Sequence, residues 1–174
     1  MINHKQNHFE LFGLPLRFEL DLARLEQSYR GLQSRVHPDR FVQASDAERR
    51  SSMQASMRAN EAYRILKHPL ARACYLLELR RVDVQGESSA PMPPEFLERQ
   101  MEWREAVEDA AARPEALTHL AQSLRGEIEA NYAELARRLD SEGDVAHAAD
   151  SVRRLMFLER LREEIGDALE RADA

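Results

Sequence analysis

The residue types best placed to do chemistry together are His37, Pro38 and Asp39, in the run Val36-His37-Pro38-Asp39-Arg40. A proline cannot continue a helix comfortably, and it pushes the residue before it out of the helical region. His37 is therefore expected to be extended, a helix to stop near Val36, and the tripeptide to sit on a loop. There a rigid Pro38 would present an imidazole and a carboxylate as paired donor and acceptor for a partner surface. Taken alone, the tripeptide is equally a helix-stop turn with Asp39 capping the next segment, so its flanks must decide.

The other reactive side chains form no reaction centre. His4, His8, His37, His68, His119 and His147 show no metal spacing such as H-E-x-x-H, and there is no glycine-rich phosphate loop or nucleophile elbow. Cys74 is the one cysteine, which excludes an intramolecular disulfide; it lies in an apolar segment and is expected to be buried. Neither catalysis nor metal binding is expected, and no cofactor is assigned.

Composition limits what the loop can serve. With 174 residues, 43% hydrophobic and 32% charged, the chain suffices for one ordinary domain or two small ones. Six glycines and 6% aromatics argue against a β-rich fold, and the Ala, Leu, Glu and Arg content argues for an all-α one. The stretch Met1-Ile2-Asn3-His4-Lys5-Gln6 is too polar for a signal peptide, and no apolar run approaches the roughly 18 residues needed to span a membrane. A soluble cytoplasmic monomer is expected. The net charge of -6 hides a division: residues 1–80 carry 13 basic and 9 acidic side chains, the remainder 12 and 22. The basic part is too weakly charged, and too poor in interleaved aromatic residues, to suggest nucleic acid.

Before the loop, Phe9, Leu11, Phe12 and Leu14 make a short first helix ahead of Pro15. Asp21 is an N-cap, with Leu20 and Leu25 spaced as a hydrophobic staple. Leu22, Leu25, Tyr29, Leu32 and Val36 then recur as one buried stripe, with Arg24, Arg30 and Arg35 on a basic outward face. After the loop, Ser45 and Glu48 form a capping box, and a helix free of glycine and proline runs from Asp46 to about Leu66. Met53, Met57, Ala59, Ala62, Tyr63 and Leu66 offer its apolar surface, with the two methionines read as core filler. The pair makes an antiparallel hairpin with His37-Pro38-Asp39 at its tip.

The run of breakers from Val82 to Pro94 is a linker. Past it, Phe96, Gln100, Trp103, Val107 and Ala110 keep an inner helical line, while Leu97, Met101, Glu105 and Asp109 keep an outer one. Pro114 opens a helix with the cleanest apolar stripe, Leu117, Leu120, Leu124, Ile128, Tyr132, Leu135 and Leu139. A turn over Asp140-Ser141-Glu142-Gly143-Asp144 leads to a last helix carrying Val152, Leu155, Leu158, Leu161, Ile165 and Leu169. Three such helices should pack as a bundle. Around Phe157 the apolar residues cover more of the circumference than one buried face needs, the mark of an interaction site.

The hairpin, the loop tripeptide and the pattern Asn60-x-Ala62-Tyr63-x-x-Leu66-x-x-Pro69-x-x-Arg72-Ala73-x-Tyr75 resemble the J-domain of DnaJ-type co-chaperones. The opening Phe9-Glu10-Leu11-Phe12-Gly13-Leu14-Pro15 and the ending His68-Pro69-Leu70-x-Arg72-Ala73-x-Tyr75-Leu76-Leu77 narrow the resemblance to the HscB family of J-type co-chaperones in iron–sulfur cluster assembly, over nearly the whole chain. The resemblance implies a J-domain over 1–80, a linker over 81–94 and a scaffold-binding bundle over 95–174. It implies docking on an ATP-bound DnaK-type chaperone of the HscA type, with His37, Pro38 and Asp39 as the trigger of its ATP hydrolysis and Arg30, Arg35 and Arg40 as docking contacts. Gly31 stands where J-domains often carry a basic residue. It further implies that Leu97, Met101 and Phe157, ringed by Glu102, Glu105 and Asp109, bind an iron–sulfur scaffold of the IscU type. Glu98 stands where a member of the family carries an apolar residue, and Asp109 is shorter than Glu. The alternative is a J-domain adaptor for a different client.

Overall fold

The computed structural model describes residues 6–41, 43–84 and 93–172. Residues 85–92 of the expected linker, His4 and residues 1–5 of the polar N-terminus lie outside them. Among the described residues all regular structure is helical, and no helix is long and apolar enough to cross a membrane. The chain divides into two compact units, Met1–Leu76 and Leu77–Ala174.

In the first unit α1 spans His8–Phe12, closed at its start by an Asn7–Glu10 capping box and at its end by Gly13 in the left-handed region (φ 64°). Helix α2 spans Leu22–Val36, and its N-cap Asp21 accepts from the Arg24 amide. A single 3-10 turn, Pro38–Phe41, separates it from α3 (Asp46–Lys67), which begins at the expected Ser45–Glu48 capping box. Helix α4 (Pro69–Leu79) follows, its last three residues belonging to the second unit. The core gathers Phe9, Phe12, Phe18, Leu25, Leu32, Ala59, Ala62 and Leu66. Buried Arg72 lies over the Phe18 ring at 5.1 Å and donates to the Leu66 carbonyl.

The α2–α3 seam is more polar than apolar periodicity suggests. Tyr29 and Tyr63 stack at 4.1 Å, Tyr29 donates to Asn60 at 2.9 Å, and Gln33 donates to the same Asn60 oxygen. Ser56 donates to Gln33 at 3.2 Å, Ser52 to the Val36 carbonyl at 2.7 Å, and Tyr63 to Glu26. Three expectations for this unit are overturned. Met53 and Met57, read as core, are 56% and 64% exposed, because they lie about 120° and 160° around α3 from buried Ala59. Leu22, read into the buried stripe, is 51% exposed, since that end of the seam closes on Glu26 and Tyr63. Cys74, expected to be buried, is half-buried, and partial desolvation still pushes its thiol pKa up.

Two stability measurements follow from these contacts. Leu66 has no exposed surface, so Leu66→Ala is expected to cost about 2–5 kcal/mol in denaturant unfolding; a loss below about 1 kcal/mol would remove Leu66 from the core. Glu26 is held below the usual carboxylate range, first by the Tyr63 hydroxyl and then by Arg30, and Glu48 is held low by Ser45. A carboxylate lowered in the folded state contributes stability that is present above its unfolded pKa and lost as pH falls through its folded one. The thermal midpoint should therefore drop as the solution is acidified through and below the usual carboxylate range. Glu26→Gln should flatten that acid limb, and an unchanged limb would contradict the assignment.

In the second unit α5 (Pro94–Ala110), α6 (Pro114–Ala136) and α7 (Val145–Ala172) pack pairwise into the expected bundle. Pro94 and Pro114 sit in the first turns of their helices, where a missing N–H is harmless. Leu117, Leu124, Ile128 and Leu135 of α6 are buried, as are Val152, Leu155, Leu158, Leu161 and Ile165 of α7. The turn expected from Asp140 starts later. The helix continues as a π segment, Arg137–Glu142, and ends at left-handed Gly143 (φ 67°). Arg137 pairs with both Glu134 and Glu142, buried Leu139 lies inside the segment, and Arg80 donates to the Leu139 carbonyl at 3.4 Å.

Candidate functional site

The last carbonyls of a helix have no partner within it, and Pro38 deepens that deficit because it brings no N–H to the Ser34 carbonyl. At the end of α2 the His37 amide still reaches the Gln33 carbonyl at 2.9 Å. The Ser34 carbonyl accepts from Arg40 Nη1 at 2.8 Å, and the Val36 carbonyl from the buried Ser52 hydroxyl. With its ends held, the loop turns tightly: the Arg40 amide donates to the His37 carbonyl at 3.1 Å.

His37 is extended (φ −59°, ψ 130°), and its side chain and that of Asp39 are 54% and 85% exposed. The Asp39 amide donates to His37 Nδ1 at 3.3 Å, and Asp39 Oδ2 lies 3.5 Å from the same nitrogen. An Nδ1 that accepts an amide proton leaves the neutral ring's own proton on Nε2. The loop thus shows an imidazole and a carboxylate side by side, 3.5 Å apart and both exposed. Helix α3 is capped by Ser45, so Asp39 is not spent as a helix cap.

Arg24, Arg30 and Arg35 are all exposed, as expected, but Arg30 stands on a different flank of α2 from the other two. Arg24 donates to the Gly13 carbonyl at 3.2 Å. Arg30 pairs at 2.8 Å with Glu26, the carboxylate that also receives Tyr63 from α3. Arg35 is five residues on, about 140° around the helix, beside a groove of about 660 Å³ lined by Leu11, Leu32, Val36 and Phe41. Arg40 turns inward to Ser34, a contact that its place in the sequence does not reveal.

The second group of residues lies on the outer line of α5. Leu97 and Met101 are 49% and 62% exposed, while Phe96, Trp103 and Ala110 of the inner line are buried. Glu98, Glu102, Glu105 and Asp109 are exposed around them. Phe157 of α7 is half-buried and meets α5 through Phe96, edge to face at 5.9 Å. Sequence reasoning missed Arg99, which bridges Glu102 at 2.8 Å and Glu127 at 2.9 Å, with Glu127 also accepting from Trp103 Nε1. Its signal was the three-residue spacing to Glu102. The acidic rim is thus partly neutralised at Glu102 and open at Glu105 and Asp109.

Comparison with known proteins agrees with this architecture. A family model described as the HSCB C-terminal oligomerisation domain matches residues 92–166. The co-chaperone protein HscB homologs of Ralstonia nicotianae and Burkholderia multivorans are each 51% identical over 175 residues, covering 99% of both chains in each case. Among solved structures, the chaperone HscB from Vibrio cholerae superposes with a TM-score of 0.85 at 36% identity, covering 96% of this chain and 99% of that one. The human co-chaperone protein HscB gives a TM-score of 0.89 at 25% identity, covering 95% and 83% respectively. With a J-type hairpin and tripeptide loop in one unit, a three-helix bundle in the other, and relatives at half identity along its full length, the chain belongs to the HscB family of J-domain co-chaperones.

Proposed function

We propose that this co-chaperone brings an iron–sulfur scaffold protein of the IscU type to a specialised DnaK-type chaperone of the HscA type and stimulates that chaperone's ATP hydrolysis in the cytoplasm. The observation that carries the reading is the exposed His37–Asp39 pair on a loop whose ends are pinned. The J-domain is assigned to residues 1–80, the linker to 81–94 and the scaffold-binding bundle to 95–174. This chain breaks no bond itself. Exposed Arg30 and Arg35 steer encounter with an acidic surface of the chaperone, and a fixed loop then offers the His37 donor and the Asp39 acceptor without a further ordering cost. Arg40 contributes its charge beside them.

The scaffold docks on Leu97, Met101 and Phe157, whose exposed apolar surface is what a partner would cover, while Glu102, Glu105 and Asp109 set orientation as a polar rim. Calorimetric titration of an IscU-type scaffold into the full chain tests this half. Saturable binding is the expected result, and no binding by a folded chain would assign the J-domain to a different client. A second reading is favoured by the match of residues 92–166 to a family described as an oligomerisation domain: the same patch joins copies of this chain. Sedimentation equilibrium without scaffold separates the two, since self-association through Leu97 and Met101 would be concentration-dependent and lost when scaffold is added.

A further inference from the structure

We infer that Ser52 is a positioning residue for the His37-Pro38-Asp39 loop, acting from α3 through the Val36 carbonyl. The inference rests on the proposed role of the loop and goes beyond it, because Ser52 neither lies in the loop nor reaches the solvent face that a partner would meet. It is one of three buried polar or charged residues in the chain's described part, 5% exposed, and a buried hydroxyl is kept only where it is used.

Its use follows from the end of α2. In a continuing helix the amides of residues 38 and 40 would serve the carbonyls of Ser34 and Val36. Pro38 has no amide hydrogen, and the Arg40 amide is diverted to the His37 carbonyl by the 3-10 turn. Both carbonyls are left for side chains. Ser34 is served from within the loop by Arg40, whereas Val36, the residue directly before His37, is served at 2.7 Å by Ser52. That bond fixes the peptide plane from which His37 departs, and so the direction in which the imidazole and the following carboxylate are presented. Without it the Val36 carbonyl must find water or rotate, and rotation would carry the His37–Asp39 pair with it.

Ser56 supplies an internal control. It lies one turn further along the same helix and also donates across the seam, but to the Gln33 side chain at 3.2 Å rather than to the loop's backbone. Ser52 lines the groove of about 660 Å³, and Ser52→Thr keeps the hydroxyl while adding one methyl.

The test measures stimulation of the HscA-type chaperone's ATPase against concentration of the full chain, for wild type, Ser52→Ala, Ser52→Thr, Ser56→Ala and His37→Gln. Loss of one positioning hydrogen bond predicts a maximal stimulation about fivefold lower for Ser52→Ala, near wild type for Ser52→Thr and Ser56→Ala. Thermal midpoints of the two alanine variants should fall together. Amide hydrogen exchange at Asp39 and Arg40, read on the free protein, should quicken in Ser52→Ala only. Equal maximal stimulation in Ser52→Ala and Ser56→Ala overturns the inference, and so does unchanged exchange at the loop. Full stimulation by His37→Gln would instead overturn the role of the loop, and the positioning role with it.

Discussion

His37→Gln is expected to abolish stimulation of the chaperone's ATPase while leaving the fold and scaffold binding intact. The imidazole is more than half exposed, and its contacts among the described residues are with Asp39, so its removal takes nothing from the core. A change of stability within about 0.5 kcal/mol is expected, as for a surface substitution. The glutamine keeps a polar side chain but loses the ring whose Nδ1 accepts from the Asp39 amide, and with it the fixed placing of a donor next to the Asp39 carboxylate. Because the loop's ends are held by Arg40 and Ser52 rather than by His37, the backbone should remain where it is. Measured as a steady-state rate at saturating co-chaperone, the variant should sit at the unstimulated level. Normal stimulation by a folded variant would refute the role of the imidazole.

Replacing Leu97, Met101 and Phe157 together by Ala is expected to weaken scaffold binding by about 100-fold or more, or about 3 kcal/mol, as for loss of a central apolar anchor cluster. Leu97 and Met101 already face solvent, so truncating them costs the free protein little. Phe157 is different: it packs edge-on against buried Phe96, and part of its truncation will appear as lost stability. A Phe157→Ala chain measured alone separates the two effects. Stimulation of the chaperone in the absence of scaffold should be unaffected by the triple substitution. Should helicity, stimulation and scaffold binding fall together, the three residues would be part of the bundle's core and no patch.

The helix ends were the most legible part of the sequence, since each carries its own chemistry. Asp21, the Ser45–Glu48 pair, Pro94 and Pro114 all start helices where expected, and Pro38 ends α2. The outer and inner lines of α5 were legible too, because Trp103 and Leu97 differ in burial as their six-residue offset on a helix demands. The α2–α3 seam was not. Apolar periodicity has no weight for Gln33, Asn60, Ser52 or Ser56, which do much of the joining, and it therefore placed Met53 and Met57 inside. Arg30 and Arg35 were grouped by charge although five residues place them on separate flanks. The π segment was not legible either, since Arg137 with acids three residues before and five after it reads like a pattern on an ordinary helix. Arg40 and Ser52 could have been sought: a proline after a helix leaves carbonyls unserved, and that deficit calls for side-chain donors nearby.

The central claim is that one chain joins the two partners, with the loop and the patch acting together. Its most direct test is the chaperone's ATPase rate in the presence of both wild-type chain and scaffold, compared with an equimolar mixture of His37→Gln and Leu97/Met101/Phe157→Ala chains. Each variant in the mixture keeps one intact site. Delivery by a single molecule predicts that the extra stimulation due to scaffold, beyond what scaffold gives without any co-chaperone, is present with wild type and missing from the mixture. Restoration of the full increment by the mixture would show that the two sites work independently and would contradict the account.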